Sequence, residues 1–151
     1  MATANKFAAD FKRALANAGA RAHDVAGEAI KQVGVGLVMA SPVGDPALWQ
    51  GRAPPGYVGG TFRANWQHGL NTAPGDTLAD IDAEGDATIA RNNASVDAAR
   101  GTPGKHYFVN NLPYAAMLEY GGHSSQVPPG GMVGLAVLHF QSYVQQASVE
   151  A

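Results

Sequence analysis

One apolar stripe runs through the first quarter of the chain and constrains the fold more than any other feature of the sequence. Between residues 5 and 40 the larger apolar residues and alanines recur every three or four positions: Phe7, Phe11, Leu15, Ala18, Ala22, Val25, Ala29, Val33 and Leu37. This spacing is typical of one face of an α-helix. Pro42 ends the pattern, because a residue that precedes proline is pushed out of the helical region. The sequence therefore predicts one long helix over residues 5–40, with a kink or fraying after Gly34.

Prolines and glycines dominate the next segment, residues 42–60, which holds four prolines and five glycines. Its large apolar side chains are Leu48, Trp49 and Tyr57. Loops longer than about 12–15 residues tend to be functional or disordered, and aromatic residues are depleted in disordered segments. We therefore predict an extended loop in which residues 44–60 form an arm that packs on a neighbouring molecule. The alternative is that its large side chains pack on the core of their own domain.

Two strands and three shorter helices are predicted in the rest of the chain. Residues 61–67 alternate apolar and polar side chains, as a half-buried strand does. Residues 105–110 are rich in aromatic residues and predict a second strand. Apolar spacing predicts helices over residues 86–100, 112–120 and 132–147. With 151 residues, the chain is expected to form a single domain, residues 1–151.

Composition excludes several classes of function. A formal net charge of −2 gives no basic surface of the kind that binds a phosphate backbone, so sequence-specific nucleic-acid binding is not expected. The chain has no cysteine, which excludes a disulfide framework and a thiolate nucleophile. Its apolar stretches are far shorter than the roughly 20 residues of a membrane-spanning helix. The first residues lack the apolar run of a signal peptide, and we expect an intracellular protein with no membrane partner.

The sequence offers no recognisable catalytic or metal-binding pattern. Its five histidines form no H-x-x-x-H pair. The alternative from another functional class is a small hydrolase that uses His123 with Ser124 or Ser125, although the G-x-S-x-G spacing is absent. Glu119 is the only acid within residues 98–149, and one carboxylate cannot serve as both acid and base. We therefore expect no catalytic, metal-binding or cofactor-binding residues, and exposed aromatic loops favour an assembly protein.

Four segments resemble the signature motifs of a known family. They are Ser41-Pro42-Val43-Gly44-Asp45, Gly60-Thr61-Phe62-Arg63-Ala64-Asn65-Trp66, Val109-Asn110-Asn111-Leu112-Pro113-Tyr114-Ala115, and Leu118-Glu119-Tyr120-Gly121 followed by Ser124, Gln126, Pro128, Gly130, Met132 and Val133. Together they resemble the tail-completion (neck) proteins of tailed phages, the group that includes the minor tail protein Z of phage lambda. Two features depart from the family pattern. Residues 46–59 lengthen a turn that is short in the family, and Gly131 adds one residue to the last motif.

The resemblance implies an α+β fold in which a long N-terminal helix and a C-terminal helix pack on a small antiparallel sheet, with long Pro/Gly-rich loops. It implies a structural virion protein, not an enzyme, that completes the top of the tail and mediates head-to-tail joining in the neck. Such a protein is expected to form a hexameric ring that contacts the tail terminator and the head-connector or head-closure proteins. Its place would be the virion, and the host cytoplasm during assembly. The alternative is a tail-terminator or head-closure ring component of the same neck.

Nine residues are the candidates for interface contacts: Leu48, Trp49, Tyr57, Arg63, Asn65, Tyr114, Glu119, Gln126 and Met132. Arg63 and Asn65 are predicted to share a polar strand face. The motifs further predict an ion pair between Arg63 and Glu119, with Arg52 as the other candidate partner for the carboxylate. Breaking a buried ion pair costs roughly 3–5 kcal/mol, so the loss of Glu119 is expected to destabilise the domain strongly.

Overall fold

The computed structural model describes residues 2–45, 47, 51–53, 55–122 and 124–151, with side chains from residue 5 onward. Seven elements follow one another in these described residues: α1 (Ala2–Ala40), α2 (Thr61–Ala64), β1 (Trp66–Leu70), α3 (Asp86–Ala98), β2 (His106–Asn110), α4 (Ala115–Tyr120) and α5 (Met132–Glu150). β1 and β2 pair as a two-stranded antiparallel sheet. The predicted α+β fold is confirmed. For every element except the strand predicted over residues 61–67, the boundaries lie within three residues of the prediction.

The two long helices lie side by side in opposite directions. The start of α5 packs near the end of α1, where the Met132 Sδ lies 3.1 Å from the Ser41 Oγ. Near the other end of α5, the Ser148 carbonyl accepts a hydrogen bond of 3.2 Å from Arg21. The fraying predicted after Gly34 is wrong, because α1 stays helical to Ala40. A side chain at Gly34 would collide with the ring of Phe108, so this glycine permits close packing of α1 on the sheet.

The core lies where the end of α1, the start of α5, α2, β1 and α4 meet. Its buried residues are Leu37, Val38, Phe62, Trp66, Tyr114, Leu118, Met132 and Ala136. The rings of Phe62 and Trp66 meet edge to face at 6.1 Å, an arrangement that aromatic pairs prefer. Two of the nine predicted interface residues, Tyr114 and Met132, belong to this core.

The strand predicted over residues 61–67 is wrong in its first half, because residues 61–64 form the short helix α2 and β1 begins at Trp66. Gly60 adopts a φ of 91°, which turns the chain into the helix, and its carbonyl accepts from the Ala64 amide. Phe62, Ala64 and Trp66 are all buried, as the alternation requires. A single helical turn is too short to show a 3.6-residue period, so the same burial pattern fits either element.

None of the helices in the described part of the chain is long and apolar enough to cross a lipid bilayer.

Candidate functional site

Three of the four family-like segments meet at the buried hydroxyl of Ser41, at the end of α1. The Oγ of Ser41 donates to the Leu37 carbonyl at 2.6 Å and accepts from the Trp66 Nε1 at 2.7 Å. The Met132 Sδ lies against the same oxygen. The hydroxyl therefore joins α1, the start of β1 and the start of α5.

Arg63 binds the carboxyl end of α1. Its guanidinium donates to the carbonyls of Ser41 at 3.0 Å, Met39 at 3.3 Å and Ala83 at 2.8 Å. The last turn of α1 has no basic residue of its own. Because the carbonyls at the end of a helix lack partners within the helix and carry partial negative charge, a cation there is stabilising. Arg63 supplies that cation from outside the helix and ties α1 to the loop before α3.

Glu119 binds the amino end of α5 in the corresponding way. Its carboxylate accepts from the amides of Met132 at 2.8 Å, Val133 at 3.1 Å and Gly134 at 3.2 Å. The first turn of α5 has no acidic residue, and Gly131 provides no side chain to cap it. Amides at the start of a helix carry partial positive charge, which a carboxylate neutralises. A side chain at Gly131 would collide with the Glu119 carboxylate, so glycine is required there.

The predicted ion pair between Arg63 and Glu119 is therefore wrong, and so is the alternative pair with Arg52. The two charged groups bind the facing ends of two antiparallel helices, and main-chain groups satisfy both charges. Arg52 is an exposed loop residue. The sequence reveals the two charges but not the carbonyls and amides that neutralise them.

Two asparagines of the motifs form hydrogen bonds to main-chain groups in the centre of the fold. The side chain of Asn65 accepts from the Leu78 amide at 2.7 Å and donates to the Leu78 carbonyl at 3.0 Å. The prediction that Asn65 shares a polar strand face with Arg63 is wrong, because Arg63 belongs to helix α2 and Asn65 is fully buried at the end of that helix. Asn110 donates to the Phe62 carbonyl at 2.8 Å at the end of β2. Asn65 holds the loop at Leu78 in place, and the half-buried Asn110 joins the end of β2 to α2.

Tyr57 packs on the core of its own domain. Its hydroxyl donates to the Val43 carbonyl at 2.9 Å, and its ring meets the edge of Tyr114 at 5.7 Å. Burial raises the pKa of Tyr57 and raises that of Tyr114 to about 12. Gln126 binds the start of the same loop, because its Oε1 accepts from the Val43 amide at 3.1 Å.

For Tyr57, the prediction of a side chain that packs on a neighbouring molecule is wrong. The loop has enough glycine to fold back, and Gly44 is packed so closely against the Tyr57 hydroxyl that a side chain there would collide. Leu48 and Trp49 lie outside the described residues. For Leu48 and Trp49, packing on a neighbouring molecule stays a prediction.

The nine predicted interface residues thus have different environments. Asn65, Tyr114 and Met132 are buried, Tyr57, Arg63 and Glu119 are partly buried, and Gln126 is exposed. Most of them hold the fold together. Sequence reasoning missed the neighbouring Tyr120, which is 85% exposed and shares a groove of about 320 Å³ with Ala116 and Val133. Its position inside the LEYG motif is the signal that could have singled it out.

A second cluster that the sequence did not reveal joins two histidines. The Nε2 of His68 lies 2.9 Å from the Nδ1 of His106, and the Nδ1 of His68 lies 2.8 Å from the Ser95 Oγ. In the antiparallel register His68 faces Phe108, which places His106 diagonally beside it on the same face of the sheet. Burial lowers the pKa of His68, and the neighbouring His106 lowers it further.

The described residues contain no group of three or more histidine or acidic side chains that could hold a metal ion. His123, which the hydrolase reading requires, lies outside those residues.

Large apolar side chains are exposed along the two long helices. On α1 these are Phe7, Phe11 and Leu15, and on α5 they include Val133, Val137, Leu138, Phe140 and Val144. Single exposed apolar side chains are ordinary, but continuous apolar surface on a folded protein usually marks a contact with another molecule. The helical layer is therefore the part of the molecule that is best suited to binding a partner.

No family model, no curated protein and no solved structure matches this chain.

Proposed function

We propose that the protein is a structural component of a phage virion that completes the top of the tail and mediates head-to-tail joining in the neck. The observation that carries this proposal is the meeting of three of the four family-like segments at one framework, formed by Ser41, Arg63, Trp66, Glu119 and Met132. Arg63 and Glu119 bind facing ends of α1 and α5, and Ser41, Trp66 and Met132 meet between them. Motifs that are scattered over 90 residues of sequence thus act together on the position of two helices.

The described surface favours assembly over catalysis. Most polar side chains of the framework are satisfied by main-chain groups, as Arg63 and Glu119 illustrate. A catalytic group has to reach a substrate, whereas these groups are occupied in fixing loops and helix ends. In contrast, large apolar side chains are exposed near the start of α1 and along α5. This combination suits a protein whose working surface is a helix face that other subunits cover.

The proposed partners are further copies of the chain in a hexameric ring, the tail terminator, and the head-connector or head-closure proteins. Tyr120 and Val133, exposed beside the framework, are the proposed contacts with other neck proteins. Gln126 remains a candidate because it is exposed. Leu48 and Trp49 remain candidates as part of the predicted arm.

The experiment is absolute quantification of the protein in purified virions by mass spectrometry with isotope-labelled peptides, combined with chemical cross-linking. We expect about six copies per particle, because a closed ring repeats one contact by rotation. Cross-links to both tail and connector proteins are expected. One to three copies per particle, or cross-links confined to the capsid shell, would contradict the proposal. Cross-links to the tail tube or to the connector alone would favour the tail-terminator or head-closure alternative.

A further inference from the structure

The first half of α1 extends past the end of α5. Arg21 contacts Ser148 in the last turns of α5, so residues 5–20, which we term the helical arm, lie beyond the packed part of the molecule. At 1.5 Å per residue the helical arm is about 24 Å long, close to the roughly 28 Å of α5. Nearly all of its side chains are exposed.

The helical arm carries the same apolar stripe that α5 covers farther along α1. Phe7, Phe11 and Leu15 are 72%, 55% and 57% exposed. Advancing 100° per residue, they fall on the same side of the helix as Ala22 and Val25, which pack near α5. The stripe is therefore continuous, and only its first three large side chains are left uncovered.

An apolar groove lies between α1 and α5 where the helical arm meets the body. It has a volume of about 590 Å³, and its lining includes Ala22, Val25, Ala29, Phe140 and Val144. The small side chains of the alanines leave space along one wall, while Phe140 is half exposed on the other wall. The groove can therefore accept large apolar side chains from outside the molecule.

Charge distinguishes between the possible occupants of this groove. The helical arm has three basic residues, Lys6, Lys12 and Arg13, against one acidic residue, Asp10. The rest of the chain has seven basic and eleven acidic residues. Two helical arms packed on each other would place like charges together, whereas the rest of another copy carries the opposite net charge. Arg21, the charged residue that lines the groove, donates to the Ser148 carbonyl at 3.2 Å.

We propose that the helical arm of one copy lies in the α1–α5 groove of the next copy. Phe7, Phe11 and Leu15 fill the groove beside Phe140 and Val144, and each copy both gives a helical arm and receives one. A head-to-tail contact of this kind closes into a ring when the rotation between copies divides a full turn. The inference rests on the proposed ring-forming function and supplies its subunit interface.

The expected contact is weak for a single pair of copies. Two phenylalanines and a leucine bury on the order of 400 Å², about half of the roughly 800 Å² per partner in a stable complex. We therefore expect purified protein to form larger species as its concentration rises. A ring adds strength because every copy is held on two sides.

The test measures the mass of the purified 151-residue chain by light scattering after gel filtration, over a concentration series. Phe11→Asp removes the helical-arm side of the contact and Phe140→Asp removes the groove side. Leu138→Asp is the matched control, because Leu138 is 78% exposed on the same helix but about 160° away from Phe140. Ala22→Asp, in the other wall of the groove, is a second groove variant if Phe140→Asp lowers the melting temperature.

We expect wild type and Leu138→Asp to associate, and each helical-arm or groove variant alone to bind itself at least tenfold more weakly. Mixing Phe11→Asp with Phe140→Asp should restore a dimer and nothing larger, because one intact helical arm and one intact groove remain. A wild-type protein that stays monomeric at about 1 mM would overturn the proposal. So would association that Phe11→Asp leaves unchanged, or a mixture that stays monomeric. Packing of helical arm on helical arm would instead leave Phe140→Asp associating as strongly as wild type, which would also overturn the proposal. These outcomes do not depend on the copy number in virions. Because that copy number tests the proposed function, the two proposals can fail separately.

Discussion

Replacing Glu119 with alanine removes the carboxylate that binds three amides at the start of α5. The Val133 and Gly134 amides lie near solvent and can bind water instead, so their loss costs little. The Met132 amide belongs to a residue that is 1% exposed, and a buried donor left without a partner costs about 1–3 kcal/mol. The lost interaction of the charge with the helix end adds about 0.3–1 kcal/mol. The total is about 1–4 kcal/mol, with a midpoint of about 2.5 kcal/mol that lies below the 3–5 kcal/mol expected for a broken buried ion pair.

The assay is chemical denaturation with thermal unfolding as a second readout, and a loss of about 1–4 kcal/mol should lower the melting temperature by roughly 2–16 °C. Glu119→Gln keeps an acceptor oxygen but loses the charge, so it should cost about 1 kcal/mol. The control is Glu150→Ala at the opposite end of α5, where a negative charge is unfavourable and its removal should be neutral or slightly stabilising.

Amide hydrogen exchange separates this explanation from a general loss of stability. In Glu119→Ala the amides of residues 132–134 should exchange faster than the rest of α5. An unchanged melting temperature together with unchanged exchange at these amides would refute the role assigned to Glu119.

Three further predictions concern Arg63, His68 and Tyr57. Arg63→Met leaves the carbonyls of Ser41 and Ala83 without their donor and should cost about 2–3 kcal/mol in urea denaturation, whereas no change would mean that water replaces the guanidinium. Burial lowers the pKa of His68 below its ordinary 6.5, so the stability that this residue contributes is complete above pH 6.5 and is lost as the pH falls through the lower folded pKa. His68→Gln should therefore flatten the loss of stability measured between pH 7 and 5, and a pH profile identical to that of wild type would contradict this. Tyr57→Ala should destabilise the isolated protein by about 1–3 kcal/mol, measured by thermal unfolding, whereas an unaffected protein would restore the idea that Tyr57 serves only a partner.

The long helices could be predicted from the sequence because their apolar stripes span many turns. α1 repeats its pattern from Phe7 to Leu37, so the helical period is unmistakable. The single turn of α2 is too short for any period, and Phe62 and Ala64 are buried two residues apart as in a strand. Local spacing therefore predicts burial correctly here and the backbone conformation incorrectly.

The contacts of the candidate site were harder to predict because the partners are main-chain groups. Arg63 and Glu119 stand out as isolated charges in the motifs, and pairing them is the simplest reading of side chains alone. Only the folded chain brings each of them to a helix end, where carbonyls or amides take the place of an opposite charge. The pairing of His68 with His106 likewise depends on the register of β1 and β2, which the sequence alone leaves open.

The most direct test of the proposed role in head-to-tail joining is reconstitution with separated particles. Filled heads and tails that lack this protein are isolated from an infection in which its coding sequence carries a stop codon. Adding the purified wild-type protein should join heads to tails and restore infectious titre, while buffer alone should leave them separate. Complete, infectious virions from the stop-codon infection, or a mixture that stays separate after the wild-type protein is added, would contradict the proposed function.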